Sequence, residues 1–209
     1  MTRVDSCQSA ERRGRLSRFP LLAHSGTLAA LILALGVPAW AHRLDEYLQA
    51  ARLGIASERI TLRLDLTPGV EVVPQVLPLL HPDKEGRTSP RHAQGYARRV
   101  LRDLSLELDG KRLTPKLVDI AVPAQADMEA GEGTIRLSAA AGIARLAPGV
   151  HELVFRNDHL PKISVYLANA LVPEDRAIHI TRQSRDELQK QERIGFEMEA
   201  PDARRSKVP

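Results

Sequence analysis

Cysteine and aromatic residues are scarce in this sequence. The chain of 209 residues has one Cys, and aromatic side chains make up 3% of it, although apolar residues reach 43%. A single Cys cannot form an intrachain disulfide, which excludes a disulfide-based scaffold. Only one apolar run approaches the length of a membrane span, which excludes a multi-span membrane protein. Enough apolar side chains remain for a packed domain, whose core must consist mainly of Leu, Ile, Val and Ala.

Signatures of catalysis are also missing. The sequence has no G-x-S-x-G elbow, H-E-x-x-H motif, P-loop or dinucleotide-binding fingerprint. Beyond the first 41 residues it has no Cys that could act as a thiol nucleophile. Carboxylates at Asp127, Glu129 and Glu132 fall in a Gly-rich loop, where we expect them to be solvated. The sequence therefore predicts a protein that is not an enzyme.

The first 41 residues have the pattern of a secretory signal peptide. Five arginines precede an apolar stretch that starts at Phe19, and the small-x-small sequence Ala39-Trp40-Ala41 ends it. We predict cleavage between Ala41 and His42 and export to the periplasm or out of the cell. An uncleaved anchor helix is the alternative, although the most apolar part, residues 28–37, is short for a span.

The positive charge of the chain belongs mostly to this segment. Five of the 30 basic and two of the 26 acidic side chains lie in the first 41 residues, which lowers the net charge from +4 to +1 for the rest. The remaining chain is nearly neutral, so its basic pI does not indicate nucleic-acid binding. We expect no nucleic-acid partner.

Apolar residues alternate with polar ones through most of residues 42–199. Ile60, Leu62, Leu64 and Leu66 give the clearest example, typical of a strand with one wet face. Similar patterns lie at 104–108, 118–122, 135–137, 153–155, 163–167, 178–180 and 194–198. Turn residues separate them, and Asp109-Gly110 is a hairpin signal. We predict a mainly β domain, an antiparallel β-sandwich of Ig-like type, followed by a disordered tail at 200–209.

Residues 70–104 depart from this alternation. The apolar run 70–80 contains too many prolines for a central strand, and Pro90–Leu104 has apolar residues at helical spacing. Ser89 is a suitable N-cap for that helix, and Pro90 suits its first position. The pattern predicts a helix-loop-helix inserted between two strands.

The loop at 81–92 has the spacing of an EF-hand calcium loop. Such a loop takes oxygen ligands from positions one, three, five, seven and nine and a bidentate Glu at twelve, with Gly at six. The matches are Asp83 at three, Glu85 at five, Gly86 at six, the Arg87 carbonyl at seven and Ser89 at nine. His81 and His92 replace the usual Asp and Glu at the two ends. We therefore expect a degenerate loop in which calcium binding is weak or lost.

Imidazoles at both ends of the loop suggest a different ion. His81 and His92, together with Asp83 and Glu85, form a mixed nitrogen and oxygen set that suits zinc, nickel or copper better than calcium. A second hypothesis uses His42, which would become the N-terminal residue after cleavage. Its amine and imidazole could chelate a metal together with one more imidazole, for which His151, His159 and His179 are candidates. An incidental role for His42 is the simpler interpretation.

Three segments carry a resemblance to a known family. They are 41–48 (AHRLDEYL), 66–70 (LTPGV) and 166–173 (YLANALVP). Together they resemble exported bacterial proteins with an EF-hand-like insertion in a β-sandwich. They are also similar to the extracytoplasmic domain of nickel-permease or hydrogenase-accessory-type membrane proteins. The resemblance implies an exported calcium-linked or metal-linked binding module over nearly all of 42–200. A transport role would require a separate inner-membrane transporter or other envelope protein as its partner.

Three functional hypotheses follow from the sequence. The first is an exported, non-enzymatic binding domain with a degenerate EF-hand-like loop. The second is a periplasmic protein that binds or delivers nickel, copper or zinc. The third is a metal-free β-sandwich that binds a partner.

Overall fold

The computed structural model describes residues 45–200. The predicted signal peptide, its cleavage site, His42 and the tail beyond Ala200 lie outside the described residues, so those interpretations stay predictions. The described chain is mainly β, as the alternation predicts. None of its helices combines the length and the apolar character that crossing a membrane requires.

Residues 45–200 contain ten strands, which form two five-stranded sheets. The first sheet has the order β5-β6-β2-β1-β8 and the second β4-β3-β7-β10-β9. The strands are β1 (Tyr47–Ala56), β2 (Arg59–Pro68), β3 (Leu104–Leu108), β4 (Lys111–Leu113), β5 (Lys116–Ala121), β6 (Ile135–Gly142), β7 (Gly149–Asn157), β8 (Ser164–Ala170), β9 (Ile178–Arg185) and β10 (Gln191–Met198). Every pairing is antiparallel except that of β1 with β8, which is parallel and corrects a purely antiparallel prediction.

Alternation explains why these strands form a sandwich. Leu62, Leu64 and Leu66 on β2 are buried, as are Ile194 and Phe196 on β10. The inward faces of both sheets contribute to one apolar cluster, whose burial is the main stabilising term of such a domain. Asp109 and Gly110 both have positive φ, 51° and 74°, which fits the tight turn predicted between β3 and β4.

The described part of the chain also forms three α-helices. They are α1 (Val73–Leu80), preceded by a 3₁₀ turn at Val70–Val72, then α2 (Pro90–Arg102) and α3 (Gln125–Glu129). The first two lie between β2 and β3 in the chain. Helix α2 begins where Ser89 accepts a hydrogen bond from the His92 amide, and it ends two residues before the predicted Leu104, which belongs to β3. Helix α3 occupies the segment predicted as a Gly-rich loop and holds Asp127 and Glu129.

Two predicted strand faces are wrong. On β8 the buried residues are Tyr166 and Ala168, and Leu167 of the predicted apolar series is 41% exposed. On β5, Val118 is 68% exposed because the pairing with β6 shifts register between Leu117 and Asp119. A bulge of this kind breaks the period of two and turns one side chain outward. Strands β1 and β4 were not predicted at all.

Candidate functional site

The predicted loop at 81–92 comprises the connection between α1 and α2, residues 81–89, and the first residues of α2, and it is organised around Asp83. One carboxylate oxygen, Oδ1, accepts hydrogen bonds from the amides of Glu85 (3.0 Å) and Arg87 (2.8 Å). The Asp83 amide donates to the Arg87 carbonyl at 2.9 Å, and Gly86 adopts a positive φ of 73° at the bend. These bonds lower the pKa of Asp83, the Arg87 amide most of all, against a smaller opposing effect of burial. The loop is therefore closed by hydrogen bonds among its own residues.

The Arg87 side chain lies beside both acidic groups of the loop. Its Nε is 3.6 Å from Asp83 Oδ2, and its terminal nitrogen is 3.6 Å from Glu85 Oε2. The guanidinium thus supplies positive charge where a cation in an EF-hand would meet these carboxylates. Its carbonyl, the predicted ligand at position seven, already accepts from Asp83.

The other predicted ligands have partners of their own. Ser89 caps α2 through its hydroxyl, which accepts from the His92 amide at 3.3 Å. The rings of His81 and His92 do come together, with centroids 5.0 Å apart, and His92 Nδ1 is 3.2 Å from the His81 carbonyl. In the part of the chain that the structure describes, no three His, Cys, Asp or Glu side chains lie close enough together to hold a metal ion. Metal binding by these six residues stays a prediction.

The loop is also fixed to the rest of the domain. The Gly86 carbonyl accepts a hydrogen bond from the Gln125 amide of α3 at 2.9 Å. A side chain at position 86 would place its Cβ 3.0 Å from Gln125 Cβ and would have to adopt a positive φ. Glycine is therefore required both by the bend and by this close contact.

A buried chain of hydrogen bonds connects α2 to both sheets. His159 lies after β7 and is fully buried; its Nδ1 is 2.7 Å from Asp103 Oδ2 and its Nε2 is 3.1 Å from the Tyr96 hydroxyl. The Tyr96 hydroxyl is in turn 2.5 Å from that of Tyr47 on β1. A carboxylate can only accept, so His159 donates from Nδ1 to Asp103. Burial lowers the pKa of His159 and favours the neutral ring, whose Nε2 accepts from the Tyr96 hydroxyl. The ring in this arrangement is neutral.

Burial explains the protonation of this chain. It lowers the pKa of His159; the Asp103 carboxylate opposes that effect and the charge of Arg99 adds to it. Burial likewise raises the pKa values of Tyr47 and Tyr96, which keeps both hydroxyls protonated. This series of hydrogen bonds connects α2 to the strands, and it supplies no activated nucleophile.

A buried amide pair continues the network. Gln49 on β1 donates from Nε2 to the His159 carbonyl (2.9 Å) and to Ser164 Oγ (2.6 Å), and its Oε1 accepts from Asn157 Nδ2 at 2.9 Å. Asn157 Oδ1 accepts from the His159 amide at 2.9 Å, and the Tyr166 hydroxyl donates to the His159 carbonyl. Gln49 could not be identified from the sequence because β1 was not predicted. With β1 recognised, Gln49 would have stood out as a polar residue at an inward position between Tyr47 and Ala51.

The three histidines considered as partners of His42 have separate surroundings. His159 belongs to the buried network, and His179 on β9 is 3.1 Å from Glu199. His151 on β7 is 2.7 Å from Asp109 Oδ2 and 2.8 Å from the Ala147 carbonyl, and its ring stacks on Phe196. Since both of its ring nitrogens face acceptors, the charged form of His151 is favoured.

We expect the His151–Asp109 pair to stabilise the fold in a window of acidic pH. Burial lowers the pKa of His151, but the Ala147 carbonyl and Asp109 raise it more; burial raises the pKa of Asp109, but the Glu152 amide and His151 lower it more. The His151 contribution is complete below its unfolded pKa and is lost as pH rises through its folded pKa. The Asp109 contribution is complete above the unfolded pKa of Asp109 and is lost as pH falls through its folded pKa. The pair therefore contributes most between about pH 4 and pH 6.5.

Urea unfolding at several pH values measures this effect. His151→Gln should lower the free energy of unfolding by about 1 kcal/mol at pH 5.5 and by less at pH 8.5. Asp109→Asn should give a similar loss at pH 5.5, and the double variant should lose less than the sum. Additive losses, or a loss that grows with pH, would show that the two groups are not coupled.

Comparisons with known proteins do not identify the chain. No protein-family model matches it, and no curated protein matches it at a significant level. The function must therefore be argued from the residues themselves.

Proposed function

We propose that this protein is an exported, non-enzymatic binding domain: an Ig-like β-sandwich whose inserted helix-loop-helix keeps an EF-hand-like sequence with weak or lost calcium binding. The observation that carries the proposal is the position of Arg87. Its guanidinium lies 3.6 Å from a carboxylate oxygen of Asp83 and 3.6 Å from one of Glu85, the two acidic groups that calcium would need.

The remaining ligand positions support the same proposal. Calcium requires about six to eight oxygens, and an EF-hand obtains two of them from a bidentate Glu at position twelve. Position twelve is His92 here, the Arg87 carbonyl is bonded to the Asp83 amide, and Ser89 caps α2. The internal hydrogen bonds replace the ion as the element that closes the loop.

Restoring the two end ligands tests the proposal. The thermal midpoint of the full chain should not change with calcium up to about 1 mM, the upper range for extracellular calcium modules. The variant His81→Asp/His92→Glu should show a midpoint that rises with calcium. Adding Arg87→Gln should increase the rise, because this change removes the competing charge and keeps the backbone carbonyl.

Asp83→Asn in the restored variant serves as the matched control and should reduce the rise. If the restored variant ignores calcium at about 10 mM while remaining folded, the EF-hand interpretation is wrong. If the unmodified protein responds below about 0.1 mM, its calcium binding is neither weak nor lost.

The His81–His92 ring pair favours a second candidate, binding or delivery of nickel, copper or zinc. Two imidazoles with centroids 5.0 Å apart supply part of a site, and Asp83 or Glu85 would have to supply the rest. In the same measurements these metals should raise the midpoint at pH 7.5 and lose their effect below about pH 6, since protonated imidazole has no free lone pair. His81→Gln/His92→Gln should abolish the effect. A response to none of the metals would favour the metal-free partner-binding domain.

A further inference from the structure

A basic groove lies along the outer side of α2. It has a volume of about 490 Å³, and four arginines line it: Arg91, Arg98, Arg99 and Arg102. His81 and His92 lie at one end, and Tyr96 contributes to its wall. All four arginines are exposed, so their guanidinium groups are accessible to a ligand from solvent.

No ion pair within residues 45–200 balances the charge of this groove. Helix α2 contains no Asp or Glu, and none of its four arginines forms an ion pair within residues 45–200. The first carboxylate after the helix, Asp103, has its Oδ2 2.7 Å from His159. Other arginines of the domain, such as Arg87 and Arg185, do pair with carboxylates. Repulsion among unpaired arginines costs free energy that a bound anion would recover.

The spacing of the arginines indicates how many charges the ligand carries. Arg98 and Arg102 are one turn apart, and Arg91 and Arg102 are separated by about 17 Å along the axis at 1.5 Å per residue. A single small anion cannot reach both ends of that row. A ligand with several anionic groups can contact two or more arginines at the same time.

We propose that the groove binds an anion that carries two or more phosphate groups. The planar guanidinium donates two parallel hydrogen bonds to a phosphate, and the tetrahedral oxygens of that phosphate can accept from further arginines on other sides. A carboxylate offers only two oxygens in one plane, so it satisfies fewer converging donors. The imidazoles of His81 and His92 add donors at one end of the groove.

This inference does not depend on the proposed calcium chemistry. The anion would use mainly the guanidinium groups of α2, whereas calcium would use Asp83 and Glu85. Because His81 and His92 line the groove, the variant His81→Asp/His92→Glu is used only to test calcium binding. The variant Arg98→Gln/Arg102→Gln leaves residues 81–92 unchanged and tests anion binding alone.

Isothermal titration of the full chain with tripolyphosphate, pyrophosphate and citrate tests the proposal. Tripolyphosphate should bind, and pyrophosphate should bind more weakly. Citrate, a carboxylate anion whose charge is similar to that of pyrophosphate, should bind more weakly still. Affinity should fall when NaCl rises from about 0.05 M to about 0.3 M. Vesicles of phosphatidylcholine, with and without phosphatidic acid, distinguish a lipid headgroup from a free phosphate compound as the source of the same chemistry.

The variant Arg98→Gln/Arg102→Gln should weaken tripolyphosphate binding at least about tenfold, since each charged hydrogen bond is worth a factor of that order. Glutamine keeps helix propensity, so α2 should remain folded, and circular dichroism verifies that. Arg59→Gln/Arg63→Gln removes the same charge from exposed positions of β2 and should leave affinity unchanged. The proposal is overturned if the α2 variant binds as tightly as the unmodified chain, if citrate binds as well as tripolyphosphate, or if neither tripolyphosphate nor anionic vesicles bind.

Discussion

Replacing Gln49 with leucine is expected to lower the free energy of unfolding by about 3 kcal/mol, because three hydrogen bonds of a buried side chain are lost. Both Gln49 and Asn157 are buried, at 0% and 2% exposure. Without the Gln49 carbonyl, Asn157 Nδ2 loses its 2.9 Å acceptor at a buried position. The His159 carbonyl suffers less, because Tyr166 and Ser164 still donate to it. Urea unfolding of the full chain measures the loss.

A double-mutant cycle separates the network from simple loss of volume. Asn157→Leu alone should also destabilise, and the double variant Gln49→Leu/Asn157→Leu should lose less than the sum, because neither partner is then left unpaired. Gln183→Leu provides a surface comparison. Gln183 accepts one hydrogen bond from the Ala170 amide in an exposed position, so its replacement should lower the free energy of unfolding by less than about 1 kcal/mol. Strict additivity in the cycle would mean that the two amides do not act on each other.

Removing Arg185 should cost as much as removing Gln49, for a different reason. Glu192 on β10 is completely buried, and Arg185 Nε lies 2.8 Å from its Oε2. That Nε–H points to the Ala168 carbonyl, and neither carboxylate oxygen of Glu192 has a hydrogen bond within the described part of the chain. Charge attraction alone stabilises the carboxylate. Arg185→Met should therefore lower the free energy of unfolding by about 3 kcal/mol at pH 8, the usual cost of leaving a buried charge unpaired.

The dependence of that loss on pH identifies its cause. Burial raises the pKa of Glu192 and Arg185 lowers it, with burial the larger effect. A carboxyl whose folded pKa lies above its unfolded value costs nothing below the unfolded pKa and its full amount above the folded one. The loss caused by Arg185→Met should accordingly shrink between pH 8 and pH 5.

Glu192→Met is the informative counterpart of this variant. It removes the buried charge and leaves Arg185, which is 33% exposed and keeps its bonds to Ala168 and Asn169. The protein should keep its stability or gain about 1 kcal/mol. If Glu192→Met destabilises as strongly as Arg185→Met and with no pH dependence, the two side chains act through packing and not through charge.

The strand segments that could be predicted from the sequence are those whose inward residues form an unbroken apolar series. On β2 and over residues 194–198 of β10 the alternation and the burial coincide, so the period of two sufficed, whereas the buried Glu192 lies before the predicted part of β10. The period of two failed on β1, where Gln49 interrupts the inward series, and on β8, where Tyr166 points inward because its hydroxyl reaches the His159 carbonyl. Leu167 is apolar but exposed, and a sequence pattern does not distinguish an exposed apolar residue from a buried one. The predicted inward face of β8 was therefore wrong.

The candidate site was predictable only as far as it is local. The turn at Gly86 and the cap at Ser89 follow from residue type and spacing within a few positions. The partner of Gly86 on α3 and the contacts of His159 with Tyr96 and Gln49 join residues far apart in the chain, which no local pattern encodes. The arginines of the basic groove are visible in the sequence. That they have no carboxylate partner among residues 45–200 is visible only in the fold.

The parallel pairing of β1 with β8 has a consequence for the order of events in folding. Tyr47 pairs with Ser164, so the first described strand has only one neighbour in its sheet until more than a hundred further residues have been synthesised. Closing so long a loop is entropically costly and slow compared with forming the β1–β2 hairpin. A nascent chain that ends before β8 leaves one edge of β1 unpaired and the Gln49 amide without Ser164. The first sheet can therefore be completed only after β8 has been synthesised, and one edge of β1 stays unpaired until then.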